Sequence, residues 1–306
     1  MTDLKKELFS IRVSVAGSLS MALLGVGFAL LTASEAIMLD GLFSLIGFAL
    51  GLLSLKVSKM VRQPDDDRYP FGYASFEPLL NLCKGLIMGF LSLLALYSAV
   101  VALWHGGRAI NTGAAIVYAA TATIGCFGIA LYQRKKFRET SSPIVEVDYK
   151  NWVVDGAVSA AVGMAFVAAW LMSGTSWEPF LPYVDPAVVI LIVIITLWIP
   201  YEITHVNLRE LLNAAPDPSY LQGIETRIAP LLSHPDMLQH VPRLLKMGRN
   251  LYLNLYVVVA PGSRWQALPE QDSFRENVKE ALAGTYPNLV ADVVFTEDAR
   301  WAFTPS

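Results

Sequence analysis

Carboxylate and amide side chains stand inside stretches that are otherwise apolar enough to cross a membrane. Asp40 is the one charged residue in the run LDGLFSLIGFALGLLSL, residues 39–55. Asn151 and Asp155 lie four residues apart in the later run NWVVDGAVS, and Asp148 comes three residues before Asn151. An ionised carboxylate in the middle of a bilayer costs about 2.5–3.5 kcal/mol on insertion scales. We therefore expect each of these polar side chains to contact a neutralising or hydrogen-bonding partner inside the membrane.

The spacing of the later group places it on one helical face. Asp148 and Asp155 are seven residues apart, or two helical turns, and Asn151 lies between them on that face. If this run and the run around Asp40 both face the interior of a helix bundle, carboxylates and an amide oxygen converge. Crowded carboxylates in a low-dielectric environment repel each other unless a cation or protons neutralise them. The pattern predicts a cation site coupled to protons, with Asp148 as a possible further ligand.

Structural roles compete with this interpretation. Asp148 lies near the expected cytoplasmic end of its span, and for this residue we favour a solvated or interfacial role. Asp40 could instead hydrogen-bond a neighbouring helix. Lys84, in the run NLCKGLIM, could be the counter-ion of Asp40 or Asp155. For Lys84 we favour the other interpretation, that its ammonium group extends to the cytoplasmic surface of the membrane.

The composition predicts an α-helical membrane protein, and we separately expect no enzyme activity and no resident cofactor. Of the 306 residues, 54% are hydrophobic and 16% are charged, against about 25% charged in a typical soluble domain. One spanning helix needs about 20 apolar residues. Six stretches meet this condition, at residues 13–33, 36–58, 78–104, 112–132, 146–172 and 184–204. The net charge of -3 provides no basic field for nucleic acid.

Basic residues alternate between the short loops, and this alternation predicts the orientation of the spans. The N-terminal segment and the loops after the second and fourth spans are rich in Lys and Arg. In the loops after the first, third and fifth spans, Arg108 is the only Lys or Arg residue. Because positively charged loops stay in the cytoplasm, both termini are expected there. The expected location is the inner membrane of a bacterium.

The sequence after the sixth span has the composition of a soluble domain. Two prolines mark a boundary, so that residues 1–212 form the expected transmembrane domain and residues 213–306 a cytoplasmic domain. In residues 213–306 the spacing of apolar residues is typical of a helix, two strands, a second helix and a third strand, in that order. They predict a small α+β domain.

The loop RQPDDDRYPFGYASFEPLLNLCKG, residues 62–85, resembles the corresponding segment of the cation diffusion facilitator family. The motifs LDGLFSL, NWVVDGAVS, DPAVVILI and LLNAAPD support the resemblance in the expected order, so it covers nearly the whole chain. It implies a proton-coupled exporter of divalent transition metals that forms a homodimer. It also implies that the cytoplasmic domain is metallochaperone-like and mainly dimerises.

The transport site that the resemblance implies is altered in the second span. Family members usually carry a His or Asp and an Asp four residues apart in this span. An ungapped alignment from the PFGY loop places Phe43 and Gly47 at those two positions, and we favour this register. A shift of two to three residues would place Asp40 and Ser44 there. In either register the second span offers at most one strong ligand.

The remaining family sites also lack histidine. The usual pair in the fifth span corresponds to Asn151 and Asp155. Positions where some members carry histidines in the loop and the soluble domain are occupied by other residues, namely Tyr69, Tyr73, Tyr256 and Thr296, although Asp298 is retained. All four histidines lie in predicted loops or in the soluble domain: His105, His205, His234 and His240. Because Zn²⁺ prefers imidazole or thiolate ligands, we do not expect a zinc exporter.

These observations predict a divergent family member that moves a hard divalent cation outward in exchange for protons. Oxygen ligands from Asp40, Asn151 and Asp155 favour Mn²⁺, with Fe²⁺ or Mg²⁺ as alternatives. Asp155 would be the main ligand and proton acceptor, and helices would move around this site for alternating access. Two other hypotheses stay open: a Na⁺/proton exchanger on the same scaffold, and a non-transporting partner of another membrane protein.

Overall fold

The computed structural model describes residues 2–32, 35–107 and 112–303. The chain divides into two compact units, Met1–Asn207 and Leu208–Ser306. The boundary expected from the sequence, after residue 212, lies slightly further along the chain.

The first unit is helical. Its helices are α1 (Thr2–Thr32), α2 (Glu35–Met60), α3 (Phe76–Trp104), α4 (Thr112–Thr140), α5 (Pro143–Met172), α6 (Leu181–Thr196) and the start of α7 (Trp198–Leu211). Over the described residues, six helical segments have the length and apolar composition needed to cross a membrane. Large apolar side chains such as Leu23, Phe90 and Ile124 are exposed on the outside of the bundle, where lipid would cover them. The α-helical membrane fold class predicted from the sequence is confirmed.

Two consecutive helices form the sixth span. Helix α6 ends at Thr196 and α7 begins at Trp198, with Leu197 as the turn between them. Pro200 is four residues after Thr196 and has no N–H to donate to the Thr196 carbonyl. In a continuous helix its ring would also clash with the Thr196 carbonyl, and these two effects explain the interruption.

Two glycines let α1 and α2 cross closely beside Asp40. A Cβ atom on Gly25 would lie 2.5 Å from the Cα atom of Gly41, and one on Gly41 would lie 2.8 Å from the backbone nitrogen of Val26. No side chain fits at such distances, so this crossing requires glycine on both helices. Because Asp40 directly precedes Gly41, the crossing fixes where its carboxylate lies.

Helix α5 is in contact with α1, α3, α4 and α6. Its Trp152 is buried, and the indole Nε1–H donates a hydrogen bond of 2.6 Å to Ser14 Oγ on α1. At the start of α5, Ser142 caps the helix by accepting a hydrogen bond from the Val145 N–H. These contacts fix the rotation of α5 and therefore the face on which Asn151 and Asp155 lie.

The second unit contains a three-stranded sheet with helices packed on it. Its elements are α8 (Pro218–Leu232), β1 (Met237–Met247), β2 (Asn250–Val259), α9 (Leu268–Ala283) and β3 (Leu289–Thr296). Strand β2 is central, antiparallel to β1 and parallel to β3. Alternate β2 residues, including Leu253 and Leu255, form a core with Ile224 of α8 and Phe274 of α9. The predicted order of helix, strand, strand, helix and strand is confirmed.

Candidate cation site

The polar residues singled out in the sequence line one cavity within the first unit. The cavity has a volume of about 130 Å³ and is bounded by α1, α2, α3, α5 and α6. Its lining includes every residue considered as a ligand from the sequence: Asp40, Ser44, Asp148, Asn151 and Asp155. Apolar side chains such as Leu50, Met88 and Val193 form the rest of the wall. The fold therefore brings the candidate ligands together.

Asp155 of α5 and Asp40 of α2 are two carboxylates that line the same cavity. Asp155 lies deep in the helix bundle, and its side chain is exposed to the cavity. Two ionised carboxylates in one low-dielectric cavity repel each other. A cation or protons between the two groups would relieve this repulsion.

Tyr118 of α4 holds Asp40 in place, a role that the sequence analysis missed. The buried Tyr118 hydroxyl donates a hydrogen bond to Asp40 Oδ2. Its ring packs against Phe28 with 5.6 Å between the centroids. The available sequence signal was a single tyrosine inside the apolar run AIVYAATAT, because a buried tyrosine hydroxyl usually has a hydrogen-bond partner.

Lys84 of α3 forms an ion pair with Asp148 of α5. The Lys84 Nζ to Asp148 Oδ1 distance is 2.5 Å, and the two side chains are 1% and 6% exposed. The prediction that Lys84 extends to the membrane surface is therefore wrong, and so is the solvated role for Asp148. Both errors have one cause: α3 and α5 are in contact where these residues face each other, so each charge is neutralised by the other rather than by solvent.

Two buried oxygen atoms in the cavity wall accept no hydrogen bond. They are Asp148 Oδ2 and Asn151 Oδ1, which belong to residues one helical turn apart on α5. A buried acceptor without a donor costs about 1–3 kcal/mol. Both oxygens are therefore suited to contact a cation.

The cavity contains residues from both alternative registers of the second span. Phe43 and Gly47 line it, and so do Asp40 and Ser44. A Cβ atom on Gly47 would lie 3.5 Å from Ser18 Oγ of α1, an ordinary contact distance. Because Phe43 and Gly47 carry no oxygen in their side chains, the side-chain ligands that α2 can offer are Asp40 and Ser44.

The candidate site is not a dense cluster of strong metal ligands. Over the described ranges, no three His, Cys, Asp or Glu side chains are grouped closely enough to hold a metal ion. The set of Asp40, Asn151 and Asp155 contains only two carboxylates. A hard cation bound there would complete its coordination with the amide oxygen, the Ser44 hydroxyl and water.

The loop between α2 and α3 is organised by hydrogen bonds to one carboxylate. Asp66 accepts them from the Tyr73 hydroxyl at 2.7 Å and from the Tyr69 and Arg68 backbone N–H groups at 2.8 and 3.0 Å. The bond from Tyr73, followed by that from Tyr69, lowers the pKa of Asp66 below its ordinary value. The rings of Tyr69, Tyr73 and Phe76 pack together beside it. The tyrosines thus have structural contacts where some family members carry histidine.

Comparison with known proteins places these features in a family. Residues 11–212 match the model of the cation efflux transmembrane domain. The chain is 25% identical over 160 residues to the magnetosome protein MamM of Magnetospirillum gryphiswaldense, a match that covers 52% of this chain. The chain spans only 48% of the length of that MamM protein.

Two further relatives are matched over longer segments. The uncharacterized transporter sll1263 of Synechocystis is 24% identical over 253 residues, covering 82% of this chain and 78% of that protein. The manganese efflux system protein MneP of Bacillus subtilis is 22% identical over 223 residues, covering 71% of this chain and 74% of that protein. The domain match covers more than half of the chain and agrees with the loop and span motifs. This chain belongs to the cation efflux family, also called the cation diffusion facilitators.

Proposed function

We propose that this protein exports a hard divalent cation, with Mn²⁺ as the favoured cargo, in exchange for protons. The observation that carries this proposal is the chemistry of the cavity, whose described lining supplies carboxylate, amide and hydroxyl oxygens and contains no His or Cys side chain. Carboxylate, carbonyl and water ligands suit Mn²⁺ and Mg²⁺, whereas Zn²⁺ prefers nitrogen and sulfur. The name of the relative MneP, a manganese efflux system protein, agrees with this cargo at 22% identity.

Exchange follows from the repulsion between Asp40 and Asp155. Either a divalent cation or protons neutralise these carboxylates, so binding of one favours release of the other. In this mechanism Asp155 is the main cation ligand and the proton acceptor. Asn151 adds a neutral oxygen, and Asp40, held by Tyr118, completes the site from α2.

Alternating access requires that the helices around the cavity move relative to one another. In the proposed cycle, the cavity opens to the cytoplasm for cation binding and to the opposite side for release. Family membership supports a homodimer formed through the soluble domain. The loop charges support a cytoplasmic location of both termini. The bacterial relatives support an inner membrane location.

The test is proton flux driven by cation gradients, measured with purified protein in liposomes. Mn²⁺, Zn²⁺, Fe²⁺, Mg²⁺ and Na⁺ are compared for the wild type and for Asp155→Asn. A matched control is Asp292→Asn, the same chemical change at an exposed position of β3. We expect flux with Mn²⁺ that is lost in Asp155→Asn and retained in Asp292→Asn.

The other outcomes point to specific alternatives. Flux with Zn²⁺ in preference to Mn²⁺ would contradict the argument from oxygen ligands. Flux with Na⁺ alone would identify a monovalent-cation exchanger on the same scaffold. A wild-type protein without flux for any of these ions would favour the non-transporting partner.

A further inference from the structure

A buried ion pair lies in the wall of the cavity, and burial of such a pair is weak evidence that it was selected for stability. Lys84 and Asp148 both line the cavity and are almost completely buried. Desolvation of two charges consumes most of the energy of their attraction, and neutral side chains of similar volume are often at least as stable. The presence of a fixed positive charge beside a cation site therefore calls for a functional explanation.

The acceptor oxygens next to this pair are suited to a second positive charge. Lys84 Nζ contacts Asp148 Oδ1, while Asp148 Oδ2 and Asn151 Oδ1 accept no hydrogen bond. Asp148 thus has one oxygen held by the lysine and one that remains available. Without Lys84, both oxygens would be available to a cation that also contacts Asn151.

The charge balance of the cavity depends on Lys84. Its lining holds the carboxylates of Asp40, Asp148 and Asp155 and the ammonium group of Lys84. When all are ionised, two negative charges remain in excess, which matches one divalent cation. Loss of the ammonium group would leave three carboxylates, and a higher ligand charge binds a divalent ion more tightly.

We infer that Lys84 acts as a tethered cation that occupies one carboxylate oxygen of Asp148, offsets one negative charge of the cavity and thereby limits how tightly the cargo binds. Lys84 is then an affinity-determining residue, which acts through the charge of Asp148 and the charge balance of the cavity. Weaker binding also favours release, which an exporter needs in every cycle. This inference rests on the proposed function.

The test is calorimetric titration of the purified full chain with Mn²⁺ alone, using a cycle of variants. The variants are Lys84→Met, Asp148→Asn and the double variant, with Lys279→Met on the surface of α9 as the matched control. We expect Lys84→Met to bind Mn²⁺ about tenfold more tightly than the wild type, because it frees a carboxylate in a low-dielectric site. The double variant should return to within about twofold of the wild type, since its charge balance is restored.

A folded Lys84→Met protein that binds Mn²⁺ as the wild type does, or more weakly, would overturn the inference. If Lys84→Met does not fold, Asp148→Asn is compared with the double variant, in which the pair is replaced by two neutral side chains. The double variant should then bind Mn²⁺ about tenfold more tightly than Asp148→Asn, because the tethered charge is gone. Equal affinities would overturn the inference.

The two proposals fail in different ways. A wild-type protein that binds no Mn²⁺ and moves no cation would overturn the proposed function, and this inference with it. Wild-type binding of Mn²⁺ with no change on loss of Lys84 would overturn only the role of Lys84.

Discussion

The Tyr118 hydroxyl of α4 donates a hydrogen bond to the Asp40 carboxylate of α2, and so joins two helices at the candidate cation site. One oxygen of Asp40 is thereby held, which restricts the orientation of the carboxylate. This contact gives Asp40 a structural partner and a place in the cavity at the same time. The two hypotheses for Asp40, helix contact and cation ligand, are therefore compatible.

Removal of this hydroxyl should weaken cation binding without changing the shape of the cavity. In Tyr118→Phe, Asp40 loses a hydrogen bond to a charged group, which contributes about 1.5–3 kcal/mol. Because the carboxylate is no longer pre-oriented, we expect the Mn²⁺ concentration for half-maximal flux to rise about three- to tenfold. The concentration dependence of flux in liposomes measures this effect. An unchanged value would show that Asp40 orientation does not matter for transport.

The Gly25–Gly41 crossing gives a prediction for stability. Gly41→Ala would place a Cβ atom 2.8 Å from the Val26 backbone nitrogen, so α1 and α2 must separate. Overpacking of this kind costs about 1–3 kcal/mol, and it should also lower flux because Asp40 moves with its helix. Thermal unfolding in detergent measures the stability of the variant.

The matched control for that substitution is Gly27→Ala on α1. A Cβ atom there meets no other atom within 4 Å, so we expect no loss of thermal stability. Equal melting temperatures for Gly41→Ala and Gly27→Ala would contradict the close crossing of the two helices.

Asn151 should determine the discrimination against Zn²⁺. Asn151→His introduces the imidazole ligand that Zn²⁺ prefers, next to the Asp155 carboxylate one turn away. We expect this variant to gain Zn²⁺-driven proton flux and to lose preference for Mn²⁺. Asn151→Asp, which retains oxygen ligation, serves as the control and should continue to favour Mn²⁺. Failure of the histidine variant to respond to Zn²⁺ would place Asn151 outside the ligand set.

The loop around Asp66 should become less ordered in acid. Its pKa is lowered in the folded protein by the hydrogen bonds from Tyr73 and the backbone. Because the pKa is lowered, these bonds stabilise the loop fully at pH values above the ordinary pKa of an aspartate, about 3.9. This stabilisation is lost as the pH falls through the lower pKa that Asp66 has in the folded protein. At neutral pH the loop should therefore be protected from amide hydrogen exchange.

Tyr73→Phe tests the same contact at neutral pH. Without the hydroxyl donor, the pKa of Asp66 should rise towards its ordinary value and amide exchange in residues 66–73 should become faster. Tyr69→Phe is the control, because Tyr69 bonds to Asp66 through its backbone N–H, which the substitution retains. Equal exchange rates in the two variants would rule out the Tyr73 hydroxyl as the main support of the loop.

The sequence by itself determined the membrane-spanning segments, the order of elements in the soluble domain and the set of candidate oxygen ligands. These properties depend on local composition and periodicity: a run of apolar residues, an alternating strand, or Asn151 and Asp155 one turn apart on one helix. The interruption at Leu197 also has a local cause, since Pro200 removes a helical hydrogen bond.

Only the tertiary structure decided which buried groups are partners. Tyr118 is 78 residues from Asp40 along the chain, and Lys84 is 64 residues from Asp148. Each pairing depends on how two separate helices are rotated about their axes and shifted along them. Close contacts such as the Gly25–Gly41 crossing set this rotation and this shift. The sequence alone favoured a Lys84 ammonium group that extends to the membrane surface. The packing of α3 on α5 decided that its charge remains in the cavity, paired with Asp148.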